Sequence, residues 1–239
     1  MLGRWIHKLK ALFKKPPSGR IAYNLPDPAV FSKWFNYRTE FRNVNWTQWN
    51  NVVDGFHERF TEWYFNRMPV PNHGSYMEFC AVCALIDAFT HYTSAKDWHD
   101  QRNYKEFLRK LDPIFRKRLS PPTEVTRFKD NGWAQGKLKD YADIFYAGVR
   151  CSLHHHGDLA CYVGMRGLGG PIAIERANGG TSQCGRYSFT LVIFDPGAVR
   201  IALQNWFNRY CQNLKKKPTS PEALLFKQKL RNDFGVNVP

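Results

Sequence analysis

Apolar side chains recur at helical spacing along most of the chain, and prolines and glycines punctuate the runs. Residues 1–15 place Leu2, Trp5, Ile6, Leu9, Leu12 and Phe13 on one face, with Arg4, Lys8, Lys10, Lys14 and Lys15 between them. That pattern predicts an N-terminal amphipathic helix. Pro16-Pro17-Ser18-Gly19 ends it and reads as a linker. Asp27-Pro28 supplies a cap and a first-turn proline for a helix whose apolar face carries Phe31, Trp34, Phe35 and Phe41. Another helix is predicted over residues 46–68, through Trp49, Val52, Val53, Phe56, Phe60, Trp63, Tyr64 and Phe65, stopped by Pro69 and Pro71. The next begins at Ser75 and runs through Cys80, Leu85, Phe89 and Tyr92. A shorter basic helix covers residues 104–119, with a break or restart at Pro113. Beyond Pro121-Pro122, a helix runs from about Gly136 to a histidine run, with Gly157 where a C-terminal cap belongs.

The period then changes. Pro171-Ile-Ala-Ile-Glu-Arg and Tyr187-Ser-Phe-Thr-Leu-Val-Ile-Phe read as strands, with Asn178-Gly179-Gly180 in the turn region, so a hairpin is predicted at about 171–194. Asp195-Pro196 opens a helix through Leu203, Trp206, Phe207 and Tyr210 to Lys217. Ser220-Pro221 opens a last one, closed by Gly235. The expected fold class is mainly α, a helical bundle with a small hairpin inserted before the final helices. Three stretches divide it: residues 1–20 as basic amphipathic helix and linker, 21–217 as the helical domain, and 218–239 as a C-terminal helix or tail.

A chain of 239 residues can bury a sizeable core, and 43% hydrophobic with 15% aromatic content excludes a mostly disordered protein. The aromatics fall at helical spacing, which assigns most of them to core packing. The net charge of +15 changes the picture more. It points to a polyanion, either nucleic acid or an anionic membrane face, the alternative being a basic protein with no such partner. The surplus is densest at the N-terminus, over residues 102–139 and over 215–231. The N-terminal helix can dock its stripe on its own domain or on a partner protein, or lie on a membrane surface through residues 1–15. No stretch reaches transmembrane length without charge, and the N-terminus lacks the continuous apolar core and cleavage site of a signal peptide. Cys80 and Cys83 form a C-x-x-C, but no second pair follows at zinc-binding spacing. Both are expected to be small buried core residues, free thiols in a cytoplasmic protein.

The stretch Gly164 to Gly170 fits no phosphate-binding fingerprint and reads as a flexible loop. Asp54, Glu58 and Glu62 share a helix face without an accompanying Glu-x-x-His, which reads as a solvated face. The chemically richest run is Arg150-Cys151-Ser152-Leu153-His154-His155-His156-Gly157-Asp158. A permanent guanidinium precedes three groups that titrate near neutrality, which suits phosphodiester cleavage: imidazole moves a proton and guanidinium holds the phosphate. Adjacent helical residues point in different directions, so at most one or two of the histidines can share a metal ion. The plainer reading is a polar helix end whose histidines interact with its carbonyls and dipole.

The run from Tyr141 to Asp158, Tyr-Ala-Asp-Ile-Phe-Tyr-Ala-Gly-Val-Arg-Cys-Ser-Leu-His-His-His-Gly-Asp, resembles the signature helix of the HEPN superfamily. There an arginine is followed, after four to six residues, by a histidine. Arg150 matches the arginine and His155 the histidine, with His156 as the second choice. The resemblance extends over residues 75–214, taking in the strands and the Asp195-Pro196 helix. It implies a HEPN-like bundle that forms a homodimer, with two Arg/His pairs meeting in one cleft. It also implies a metal-independent, cofactor-free endoribonuclease in which the RNA 2′-hydroxyl is the nucleophile and a cyclic phosphate the product. A toxin or antiviral defence effector, with an antitoxin or regulatory protein as partner, belongs to the same implication. Cys151 departs from the polar residue that often follows the arginine, and no tyrosine lies two residues after His155. Ideal α-helical geometry also sets His154, not His155, one turn from Arg150. The alternative is a non-catalytic HEPN-like module binding RNA or protein. Side chains facing a shared groove favour the enzyme; burial of the arginine within one protomer favours the module.

Overall fold

The computed structural model describes residues 48–66, 76–95, 100–118, 138–160, 163–165, 172–177 and 189–234. The expected helices over 1–15 and from Asp27, and the turn at Asn178-Gly179-Gly180, lie outside the described residues. The rest is mainly helical, as the spacing of apolar residues demands. Helix α1 (Trp49–Phe60) buries Val52, Val53, Phe56 and Phe60, and continues as a π-helical turn over Thr61–Phe65. Helix α2 (Tyr76–Thr93) is the central element. It buries Phe79, Val82, Leu85, Ile86, Phe89 and Tyr92 at positions that span more than one face. Helix α3 (Gln101–Leu111) is capped by Asp100, whose carboxylate accepts from the Arg102 N–H at 2.8 Å. The expected break at Pro113 is present: Asp112 accepts from the Ile114 N–H and a 3₁₀ turn follows over Pro113–Arg116.

The helix expected from about Gly136 opens later, as α4 (Tyr141–Ile144), because Asp140 is its cap and Leu138 and Lys139 are not helical. Its axis continues through a π-helical segment over Phe145–Cys151 into α5 (Ser152–His156). Gly157 closes it with φ of +73°, a conformation that costs glycine little, and its N–H reaches the Leu153 carbonyl at 3.1 Å. Helix α6 (Pro196–Lys216) is capped by Asp195 through the Ala198 N–H at 3.0 Å. Helix α7 (Pro221–Phe234) starts where the Ser220 hydroxyl accepts from the Ala223 N–H at 3.2 Å.

The hairpin is present as β2 (Ile172–Ala177) and β3 (Phe189–Phe194), antiparallel with Ile172 opposite Phe194 and Ala177 opposite Phe189. A further strand, β1 (Val163–Met165), pairs parallel with β3, giving the order β1-β3-β2. It takes in Gly164, which the sequence assigned to a flexible loop. Three residues are too few to show an alternating pattern, so the pairing comes from β3 and not from local propensity.

Two aromatic layers hold the bundle. In the first, the Phe207 ring lies 4.8 Å from Phe89, 5.4 Å from Phe60, 5.7 Å from Phe56 and 6.1 Å from Phe65. Phe226 on α7 joins through Phe56 at 4.8 Å and Tyr92 at 5.8 Å, so the last helix shares this core. In the second, Phe145 meets Phe79, Phe115 and Phe194, at 5.0 Å for Phe194, which ties the sheet to α2, the 3₁₀ turn and the π-helical segment. The expectation that the aromatics are core residues holds for these rings. Cys83 is buried as expected, whereas Cys80 is exposed: it projects from the side of α2 opposite the packed positions. Asp54 on α1 pairs with Lys215 of α6. Among the described residues no helix is long and apolar enough to cross a membrane.

Candidate functional site

The segment bearing Arg150 is fixed from both ends. At its start, Asp140 caps α4 and is itself held by Arg109, whose Nε and Nη2 donate to its two carboxylate oxygens at 2.7 and 3.1 Å. Asp143 is buried beside it and pairs with Lys105 at 2.8 Å. At the far end, the Asp158 carboxylate accepts from the Tyr76 hydroxyl at 2.6 Å and from the Leu159 N–H at 2.7 Å. The Tyr76 bond and the backbone N–H hold the Asp158 carboxyl below its ordinary range, and the same bond raises the Tyr76 phenol.

Between these anchors the π-helical register decides which way Arg150 faces. In this stretch Gly148, Val149 and Arg150 are consecutive and all buried. An i→i+5 turn holds more residues than an α-turn and rotates the positions that follow relative to the α-helical face. Arg150, 7% exposed, therefore enters the bundle between α2 and α3. Its Nη2 donates to Asp87 Oδ2 at 3.4 Å, and its guanidinium carbon lies 5.5 Å from the Tyr146 ring and 6.0 Å from that of Tyr104. Its Nε is buried with no hydrogen-bond partner among the described residues. Burial works against the Arg150 charge. Asp87, helped by Tyr146, Tyr104 and Cys151, outweighs that and leaves its pKa above the ordinary arginine value. Tyr146 is pushed up to about 12, mainly by burial, with Cys151 adding to the shift and Arg150 opposing it. Desolvation raises the Cys83 thiol and the Tyr104 phenol in the same cluster.

The histidines lie elsewhere on the turn. His154 and His155 are exposed, their rings 5.3 Å apart and perpendicular. The His156 side chain lies outside the described residues. The sequence-selected set is thus divided: Arg150 is committed to groups of its own chain, while the two described imidazoles face solvent at the end of α5. A solvent-facing imidazole can exchange protons, but a guanidinium only 8% exposed and turned toward a carboxylate presents little surface to a phosphate. Among the described residues no group of three or more His, Cys, Asp or Glu side chains is arranged to hold a metal ion.

Sequence reasoning missed Asp87, Tyr104 and Tyr146 as partners of Arg150, and Tyr76 as the anchor of Asp158. One signal was available for Asp87. It is the lone carboxylate in the apolar run from Phe79 to Phe89, and a carboxylate on such a helix needs a cation. No family model, curated protein or solved structure matches the chain.

Proposed function

We propose that the chain is a HEPN-like helical module that binds RNA and does not cleave it by the Arg/His route. The observation that carries this reading is the enclosure of Arg150 within one protomer, paired with Asp87 between two tyrosine rings. An arginine used this way joins α2, α3 and the π-helical segment, which is a structural task. The net charge of +15 supports an RNA partner. The test is incubation of the purified chain with mixed RNA in EDTA, read by gel shift and by product analysis. The expected outcome is retarded RNA of unchanged length. Cleavage in EDTA that vanishes in His155→Ala would overturn the proposal.

The exposure of His154 and His155 favours one second reading, the metal-independent endoribonuclease. In it a histidine takes the proton of the 2′-hydroxyl, the oxygen attacks the neighbouring phosphorus, and the 5′-oxygen leaves with a proton from a second imidazole. A homodimer supplies that second imidazole. Arg150 then acts by holding the helix end and not by touching phosphate, so Arg150→Lys would retain more activity than a phosphate-clamping arginine allows.

A further inference from the structure

Over residues 101–118 and 138–144 the chain carries eight lysines and arginines against four carboxylates. Three of these carboxylates are used internally. Glu106 pairs with Arg102, while Asp140 and Asp143 take Arg109 and Lys105. The fourth, Asp112, caps the 3₁₀ turn. What remains among the described residues is a row of exposed cations, Arg116, Lys117, Arg118 and Lys139, with Lys110 beside them and in reach of the Glu222 charge.

The backbone gathers them. Arg116 Nε donates to the Arg109 carbonyl at 2.6 Å, which folds the turn back on the end of α3. Arg118 forms an antiparallel bridge with Asp140, which brings residue 139 back beside residues 117 and 118. The Lys139 N–H is fixed in turn by Asp143 Oδ2 at 2.6 Å. Like charges placed this close repel unless a counterion or a polyanion occupies them.

We infer that this edge, built from the end of α3, the 3₁₀ turn and the start of α4, is the surface on which an RNA phosphodiester backbone docks. The inference rests on the RNA-binding reading and gives it a location. The chemistry of the edge favours nucleic acid over lipid. Among the described residues its large apolar side chains face inward: Leu111, Phe115 and Leu138 are buried and Ile114 packs half-buried against the core, so none of these stands ready to enter a bilayer beside the charges. A membrane-binding face pairs its lysines with inserted apolar groups. Arginine and lysine without such groups match the sequence-independent contacts that phosphates make.

The test uses the full chain and a fluorescent single-stranded RNA, with binding followed by anisotropy from low to moderate salt. Lys117→Glu/Arg118→Glu/Lys139→Glu reverses three exposed charges and leaves the Arg109 ion pairs untouched. If each charge meets one phosphate, the slope of log Kobs against log salt falls by about 2. The control Lys216→Glu/Lys217→Glu/Arg231→Glu makes the same charge change at exposed positions at the C-terminal end of α6 and on α7. It is expected to leave most of the slope in place. Equal flattening by both variants overturns the location, because the binding would then follow net charge alone. Wild-type slope in the edge variant overturns it too. Absence of wild-type RNA binding at low salt rejects the RNA reading itself, and edge-dependent flotation with anionic phosphatidylserine vesicles in that case assigns the surface to lipid. Circular dichroism of each variant guards against misfolding, and Lys117→Ala/Lys139→Ala serves if the reversal variant does not fold.

Discussion

Replacing Arg150 with alanine tests the central feature of the site. Its side chain is 8% exposed, while that of Asp87 is 35% exposed, so the pair is buried on one side only. Removing one member of a fully buried ion pair costs about 3–5 kcal/mol. Here the half-exposed Asp87 can rehydrate, and the 3.4 Å contact is at the long end of hydrogen bonding, which cuts the loss. Against that, the arginine stem packs between two tyrosine rings and each cation–π contact contributes about 0.5–1 kcal/mol. The net expectation for Arg150→Ala is a loss of about 2–3 kcal/mol. Arg150→Met keeps most of the stem and should recover about 1 kcal/mol of it. A double-mutant cycle with Asp87→Asn should return a coupling of about 1 kcal/mol. Urea unfolding followed by far-UV circular dichroism measures each value from midpoints at unchanged slope. A loss within about 0.5 kcal/mol for Arg150→Ala, the range of ordinary surface changes, would refute the enclosed arginine.

Other perturbations test separate parts of the structure. Phe207→Ala empties the centre of the first aromatic layer and should cost about 3–5 kcal/mol, measured by the same unfolding curves. Gly157→Ala meets no atom within 4 Å, so only the left-handed backbone opposes it, and about 1 kcal/mol is expected in the melting transition. Tyr76→Phe removes the principal cause of the lowered Asp158 pKa, so the carboxyl should titrate nearer its ordinary value in carbon-detected NMR. Because the folded pKa of Asp158 is depressed, its contribution to stability is present above the ordinary aspartate range. It is lost as pH falls through the folded value, and the phenylalanine variant should lack most of that acid-side loss.

How much of this was legible in the sequence depends on how local the cause was. Asp195-Pro196 and Ser220-Pro221 are caps whose bonds reach three residues, and they start helices where the sequence put them. The β2–β3 pairing also followed from two apolar runs close in sequence. The sequence failed where the partner was distant. β1 exists because β3 offers it an edge from 29 residues away in register, Val163 against Val192. Cys80 and Cys83 look alike in sequence, yet only the latter is buried, beside Tyr104 of α3.

Arg150 is the instructive case, because two non-local causes act on it together. The α-helical pattern through Tyr141 to Val149 assigns each position to a face, and His154 then shares a face with Arg150. The π-helical register over Phe145–Cys151 breaks that assignment, and it forms where Phe145 must meet Phe79, Phe115 and Phe194 at once. A buried guanidinium then requires an anion, and Asp87 supplies it from 63 residues earlier in the chain. The lone acid in the apolar run from Phe79 to Phe89 and the base that ends the run from Tyr141 to Val149 are therefore one feature seen twice. The buried arginine is the costly member alone, and its meeting with Asp87 fixes the register of the helix end on which His154 and His155 are displayed.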